Sequence, residues 1–166
     1  DNLSGPSTVP SSMNLLLPFL AGALLMVQDT ALPELNQRIV AYTLSQEGKK
    51  VDRGECWDLA AQALNEAGAK WDGLYGFGRA YDPKKEPVLP GDIIQFEGVT
   101  MEHRTANGMT QFSFMKHTAV VTAVQGPDEI TILHQNFGKA GRKVSSLQLL
   151  PGDVVKGKLL FYRPEA

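Results

Sequence analysis

Reactive groups are scarce in this chain: one cysteine and three histidines among 166 residues, with a formal net charge of −2. A single cysteine excludes both an intrachain disulfide framework and a thiolate-rich zinc site. His103, His117 and His134 share no close ligand spacing, so neither a metal site nor a cofactor is expected. The near-neutral balance gives no electrostatic reason to expect DNA, RNA or an anionic membrane as partner. Lys49-Lys50 and Lys84-Lys85 are too short to be more than solvated charge. The glycines at 73, 76 and 78 superficially match a nucleotide loop, but no strand precedes them and no Lys-Ser or Lys-Thr follows. The longest apolar run, Leu15 to Val27, is short for a stable membrane span.

Two regions differ in composition. Residues 1–30 combine a Ser, Pro and Gly-rich polar leader with that apolar run, which has the length of a signal-peptide core. Export to a periplasmic or extracellular location is the reading taken, with a helix packed on the domain as the alternative. Residues 31–166 look like one globular domain, large enough to bury its own core and expected as a monomer.

Within that domain Leu35, Ile39, Val40 and Leu44 recur at helical spacing after Pro33, until Gly48 ends the pattern. A second helix starts at Glu55 or Cys56, runs through Leu59, Ala60, Ala63 and Leu64, and stops at Gly68. Trp71 to Pro90, rich in Gly, Pro and aromatics, reads as a surface loop. Trp71, Tyr75, Phe77 and Tyr81 either wall a substrate groove or pack in the core. Strands follow at Asp92 to Phe96, Thr118 to Val124, Ile130 to Leu133 and Lys158 to Tyr162, the middle two joined by a turn at Pro127-Asp128. His103 falls in a polar segment, Glu102 to Thr110, read as a solvent-facing loop. Helices followed by strands predict an α+β domain, with N-terminal helices packed on a curved antiparallel β-sheet or small barrel.

Cys56 is the feature around which function is read. A thiol at a helix N-terminus meets the positive end of the helix dipole and free N–H groups, which favour thiolate and could hold an oxyanion. His117 heads one strand and His134-Gln135-Asn136 ends its hairpin partner, so they share a sheet edge near the start of the second helix. The set supplies a nucleophile, a base and an orienting group for acyl transfer, with the Cys56 N–H as an oxyanion donor. A lone cysteine on an apolar helix face is also an ordinary packing residue.

Four segments in order, Gly-Glu-Cys-Trp at 54–57, Pro-Gly-Asp-Ile-Ile-Gln-Phe at 90–96, Lys-His-Thr-Ala-Val-Val at 116–121 and Ile-Leu-His-Gln-Asn at 132–136, resemble the motifs of CHAP and NlpC/P60 cysteine peptidases and amidases. The resemblance implies a papain-like fold and hydrolysis of amide bonds in bacterial cell-wall peptidoglycan. It casts Cys56 as nucleophile, His117 as base and His134 or Asn136 as third residue, with His134 favoured and Asn136 contributing. Gln135 would then point away. Trp57, Trp71, Tyr75 and Phe77 would flank the peptide or peptidoglycan substrate. Glu55 stands where CHAP members often carry Gln, and a carboxylate there would raise the thiol pKa. The alternative of another class is a non-catalytic binding or scaffold module of the same fold; a papain-like acyltransferase or deamidase would use the same residues.

Overall fold

The computed structural model of the protein describes residues 31–126 and 128–166. The leader, the apolar run at 15–27 and Pro127 lie outside the described residues. Two helices come first, α1 at Glu34–Ser45 and α2 at Cys56–Ala67. Six strands follow: β1 Arg79–Tyr81, β2 Ile93–Thr105, β3 Gly108–Gly126, β4 Glu129–His134, β5 Ser145–Leu149 and β6 Val154–Arg163. They form one sheet in the order β1-β6-β2-β3-β4-β5, antiparallel at every pairing. This is the expected α+β architecture. Among the described residues no helix is long and apolar enough to cross a membrane.

Sequence periodicity explains how the helices dock. Leu35 and Ile39 of α1 and Leu59, Ala60, Ala63 and Leu64 of α2 are all buried, and they pack with Ile93 of β2, Val120 of β3 and Leu133 of β4. Each large aliphatic side chain removed from water here contributes about 1.5–3 kcal/mol. Gly68, at φ +74°, closes α2 in the left-handed conformation that glycine adopts without a Cβ penalty.

A second cluster, with Ile94, Phe96, Phe114, Ala119, Val121, Ile132 and Phe161, lies on the face of the sheet opposite the helices. The pairing of β2 with β6 is irregular. Gly98 (φ +58°) and Gly157 (φ +79°) sit at an irregularity in that pairing, and a Cβ on Gly157 would lie 2.3 Å from the Gly98 carbonyl oxygen. Only glycine at 157 lets the two backbones come this close.

Two sequence readings change. The segment at 102–110 is not a loop: β2 and β3 form a long hairpin in register to Thr105↔Gly108, with His103 opposite Thr110. His103 Nδ1 lies 2.9 Å from Asp153 Oδ2, so the ring is oriented rather than free in solvent. Within 71–90, Arg79–Tyr81 pairs with the end of β6, because Gly78 lets the chain pass against Arg163.

The Pro-Gly-Asp turn before β2 has a structural task. Asp92 is fully buried and accepts bonds from Tyr81 Oη (2.6 Å), the Leu89 N–H (2.8 Å), and Arg163 Nε (2.8 Å) and Nη2 (2.9 Å). Burial and the adjacent Asp92 carboxylate push the Tyr81 hydroxyl pKa well up, so it remains a donor. Asn36 of α1 donates to the Pro90 carbonyl at 2.8 Å, tying the helix layer to this turn.

Candidate functional site

Cys56 is the first residue of α2, partly buried, with Glu55 at the N-cap. Asp58, buried in the first turn, accepts the Glu55 N–H at 2.9 Å and also pairs with Arg53. A carboxylate at this position satisfies a free helix N–H and complements the helix dipole. Glu55 itself is held by Asn136 Nδ2 at 2.7 Å and Arg142 Nη2 at 3.3 Å.

The sulfur meets β3 at the main chain. Val121 accepts from the Gly91 N–H and donates to the Asp92 carbonyl (2.8 and 2.9 Å), so it turns both groups toward β2. By the antiparallel alternation, Ala119 and His117 do the same, while Val120 and Thr118 turn theirs the other way. Val120 meets Leu133 of β4. One residue pair further, the Thr118 N–H meets the Cys56 sulfur. Among the described residues no hydrogen bond joins that sulfur to an imidazole.

His117 and His134 do meet, as their placement in a hairpin predicts: His117 Nε2 lies 2.8 Å from His134 Nδ1. Both rings are buried, at 5% and 1% exposure. They sit in an aromatic cage, with Phe114 4.9 Å and Phe96 5.7 Å from His117, and Phe137 5.1 Å from His134, between ring centroids. Burial, with a smaller contribution from His134, lowers the His117 pKa to about 3. Burial alone lowers that of His134 to about 4. Both imidazoles are therefore neutral at physiological pH, one donating to the other.

The thiol is shifted in the opposite sense. Burial pushes the Cys56 pKa up; the Thr118 and Trp57 N–H groups oppose the shift, and Glu55 adds to it. The expected Glu55 effect has the right sign but is secondary to desolvation. A thiolate–imidazolium pair would require charging two groups that both favour neutrality here.

The remaining expected site residues separate into surface and core. Asn136 does not reach His117: β4 ends at His134 and Asn136 adopts φ +63°, so the strand alternation that would have aimed it there has stopped. Gln135, expected to point away, is fully buried. It accepts from the Val51 N–H at 3.0 Å and donates to the Val51 and Glu55 carbonyls at 3.0 and 2.7 Å. It holds the loop that leads into α2. Phe77 is no groove wall either: it is fully buried between Trp71 (5.9 Å) and Tyr162 (5.6 Å). Trp57 donates to the Leu74 carbonyl and lies 5.6 Å from Trp71. Tyr75 remains at the surface, with Lys116 Nζ 3.5 Å from its ring centroid.

Asp58 and Gln135 are the important residues that sequence reasoning missed. Asp58 carries a readable signal, an acid three positions after the helix N-cap. Gln135 does not, because its partners are backbone groups some eighty positions away. Cavities of about 490 and 790 Å³ open elsewhere, the first beside His103 and Asp153 and the second beside Pro87 and Phe161; neither is lined by Cys56 or His117.

A family model described as the AIM3/BBC1 cysteine proteinase-fold domain matches residues 31–166. Altered inheritance of mitochondria protein 3 from the yeast Debaryomyces hansenii is 25% identical over 148 residues, covering 76% of this chain. The chain spans only 15% of that relative's length. Two solved structures, described as Ly7917 and as Ly7917 with the hydrolyzing product of MDP, align with TM-scores of 0.48 and 0.49 at 20% and 19% identity. They cover 76% and 78% of this chain, and 62% of each of those chains is covered. By the family model, the CHAP and NlpC/P60 resemblance holds only at the level of a cysteine proteinase fold. Export is corrected by the same comparisons. That expectation rested on the apolar run at 15–27 and a bacterial wall setting, whereas the relative is a yeast protein named for mitochondrial inheritance.

Proposed function

Because the chain belongs to the AIM3/BBC1 cysteine proteinase-fold domain family, we propose that it serves as a non-catalytic interaction or scaffold module, with Cys56 kept as a packing residue. One observation carries this reading: the imidazole that should activate the thiol is enclosed by Phe96, Phe114 and Phe137 and bonded to His134, while the sulfur is met by the Thr118 amide. A general base needs hydrogen-bond reach to its proton and a pKa near the working pH. Burial has lowered that of His117 to about 3. Fold alone does not imply the chemistry of a fold's enzymatic members.

A second reading is favoured by the His117–His134 bond at 2.8 Å, which is the contact an orienting residue makes with a catalytic base. It is a cysteine amidohydrolase or acyltransferase using Cys56, His117 and His134. One experiment decides between them. Purified peptidoglycan and a mixed peptide library are incubated with the chain and with Cys56→Ala, and the products are compared by mass spectrometry. The module reading expects no fragment or acyl product that depends on Cys56. A product made by the parent chain and lost in Cys56→Ala overturns it.

A further inference from the structure

We propose that Asp72 to Gly76 is a flap over the crevice that holds the Cys56 sulfur, latched by the contact between Tyr75 and Lys116. The crevice lies between the first turn of α2 and β3, where the Thr118 N–H meets the sulfur. The segment that follows α2 bridges the same two elements. Trp57, the residue next to Cys56, donates its indole N–H to the Leu74 carbonyl. Lys116 and Thr118 share the helix-facing side of β3 with Val120, and the Lys116 ammonium lies 3.5 Å from the Tyr75 ring centroid. One latch is therefore beside the thiol and the other beside its amide partner.

The flap is bonded to itself more than to the domain. Asp72 turns its carboxylate back on its own loop, accepting the Leu74 N–H at 2.7 Å and the Gly76 N–H at 3.0 Å. The Asp72 N–H in turn reaches the Gly76 carbonyl at 3.3 Å. Gly76 permits this closure, because a Cβ there would lie 2.6 Å from Asp72 Oδ2. All these bonds are internal, so they survive when the flap lifts.

Its base, by contrast, is fixed. Trp71 and Phe77 stack with ring centroids 5.9 Å apart. Phe77 is fully buried against Tyr162, and Trp71 donates to Asn65 of α2 at 2.9 Å. Between these anchors Asp72 to Tyr75 are exposed. Among the described residues, the Trp57–Leu74 bond is the single hydrogen bond from the flap to the rest of the domain. A segment with a fixed base, internal bonds and few outside contacts opens far below the cost of global unfolding. A cation over an exposed ring shifts such an equilibrium about two- to fivefold. Either an inert or an active Cys56 is compatible with the flap, so it stands apart from the module reading.

The test compares two uncharged reagents of one chemistry, N-ethylmaleimide and the bulkier N-(1-pyrenyl)maleimide, on the 166-residue chain. The ratio of their rates at Cys56 cancels the thiolate fraction, and with it any effect of Lys116 or His117 on the thiol pKa. In the parent chain the ratio should favour N-ethylmaleimide at least about tenfold more than it does for a cysteine in an unstructured peptide. Lys116→Met and Tyr75→Ala should each speed the bulky reagent about two- to fivefold relative to the small one. Lys116→Arg keeps a cation over the ring and should retain the parent ratio, which a misfolded chain would not. A parent ratio equal to that of the peptide, a ratio indifferent to Lys116→Met and Tyr75→Ala, or a ratio lost equally in Lys116→Arg would each overturn the proposal.

Discussion

Acidification provides a sharp test of the buried histidine pair. His117 and His134 have pKa values of about 3 and about 4, against about 6.5 for an exposed imidazole. These are depressed values on basic groups, so the unfolded chain binds more protons than the folded one between about pH 4 and 6.5. The stability that comes from keeping the pair neutral is therefore complete above about pH 6.5 and declines as pH falls. The linkage relation gives a loss of about 2 kcal/mol per histidine between about pH 7.5 and pH 5, hence about 4 kcal/mol for the pair. This figure depends little on the precise folded values, because both lie below pH 5. Urea denaturation at a series of pH values measures it, and a chain carrying His117→Phe should lose about half as much stability over that interval. A denaturation midpoint that is flat from pH 7.5 to pH 5 would mean that His117 titrates normally, and the burial argument against a catalytic base would fall.

Two further predictions concern the scaffold around the site. Asp92→Asn keeps the size of the side chain but removes the buried carboxylate from Arg163, which retains Glu86 at 2.7 Å, and should cost about 1–3 kcal/mol in chemical denaturation. Gln135→Ala strips three main-chain partners from the loop entering α2. It should cost about 2–4 kcal/mol and speed amide exchange at Val51, both measurable by denaturation and hydrogen exchange.

The sequence is most legible where the signal is periodic or local. The helical spacing of Leu35 and Ile39, and of Leu59 through Leu64, together with Gly68, reads directly as two helices of an α+β domain, because each rests on contacts within a few residues. The hairpin between β3 and β4 also follows from local pattern, and it brings His117 to His134. Legibility ends where long-range geometry decides. Asn136 has the spacing to share a strand face with His134, but the strand ends at His134, two residues before that spacing could matter. The polar segment at 102–110 reads as a loop because its strand character comes from the register continuing along the hairpin, not from side-chain burial. The aromatic cage is the most consequential miss. Phe96, Phe114 and Phe137 come from three distant segments, and no spacing in the sequence announces that they will close over one imidazole.

The central claim, that Cys56 is not an activated nucleophile, is tested most directly by its own ionisation. The rate of alkylation by iodoacetamide, followed against pH for the parent chain and for His117→Ala, gives the thiol pKa and its dependence on the imidazole. Burial of the sulfur predicts an inflection above that of a free cysteine, unchanged by His117→Ala. An inflection below about pH 7 that moves upward when His117 is removed would contradict the account and place Cys56 and His117 together as a working ion pair.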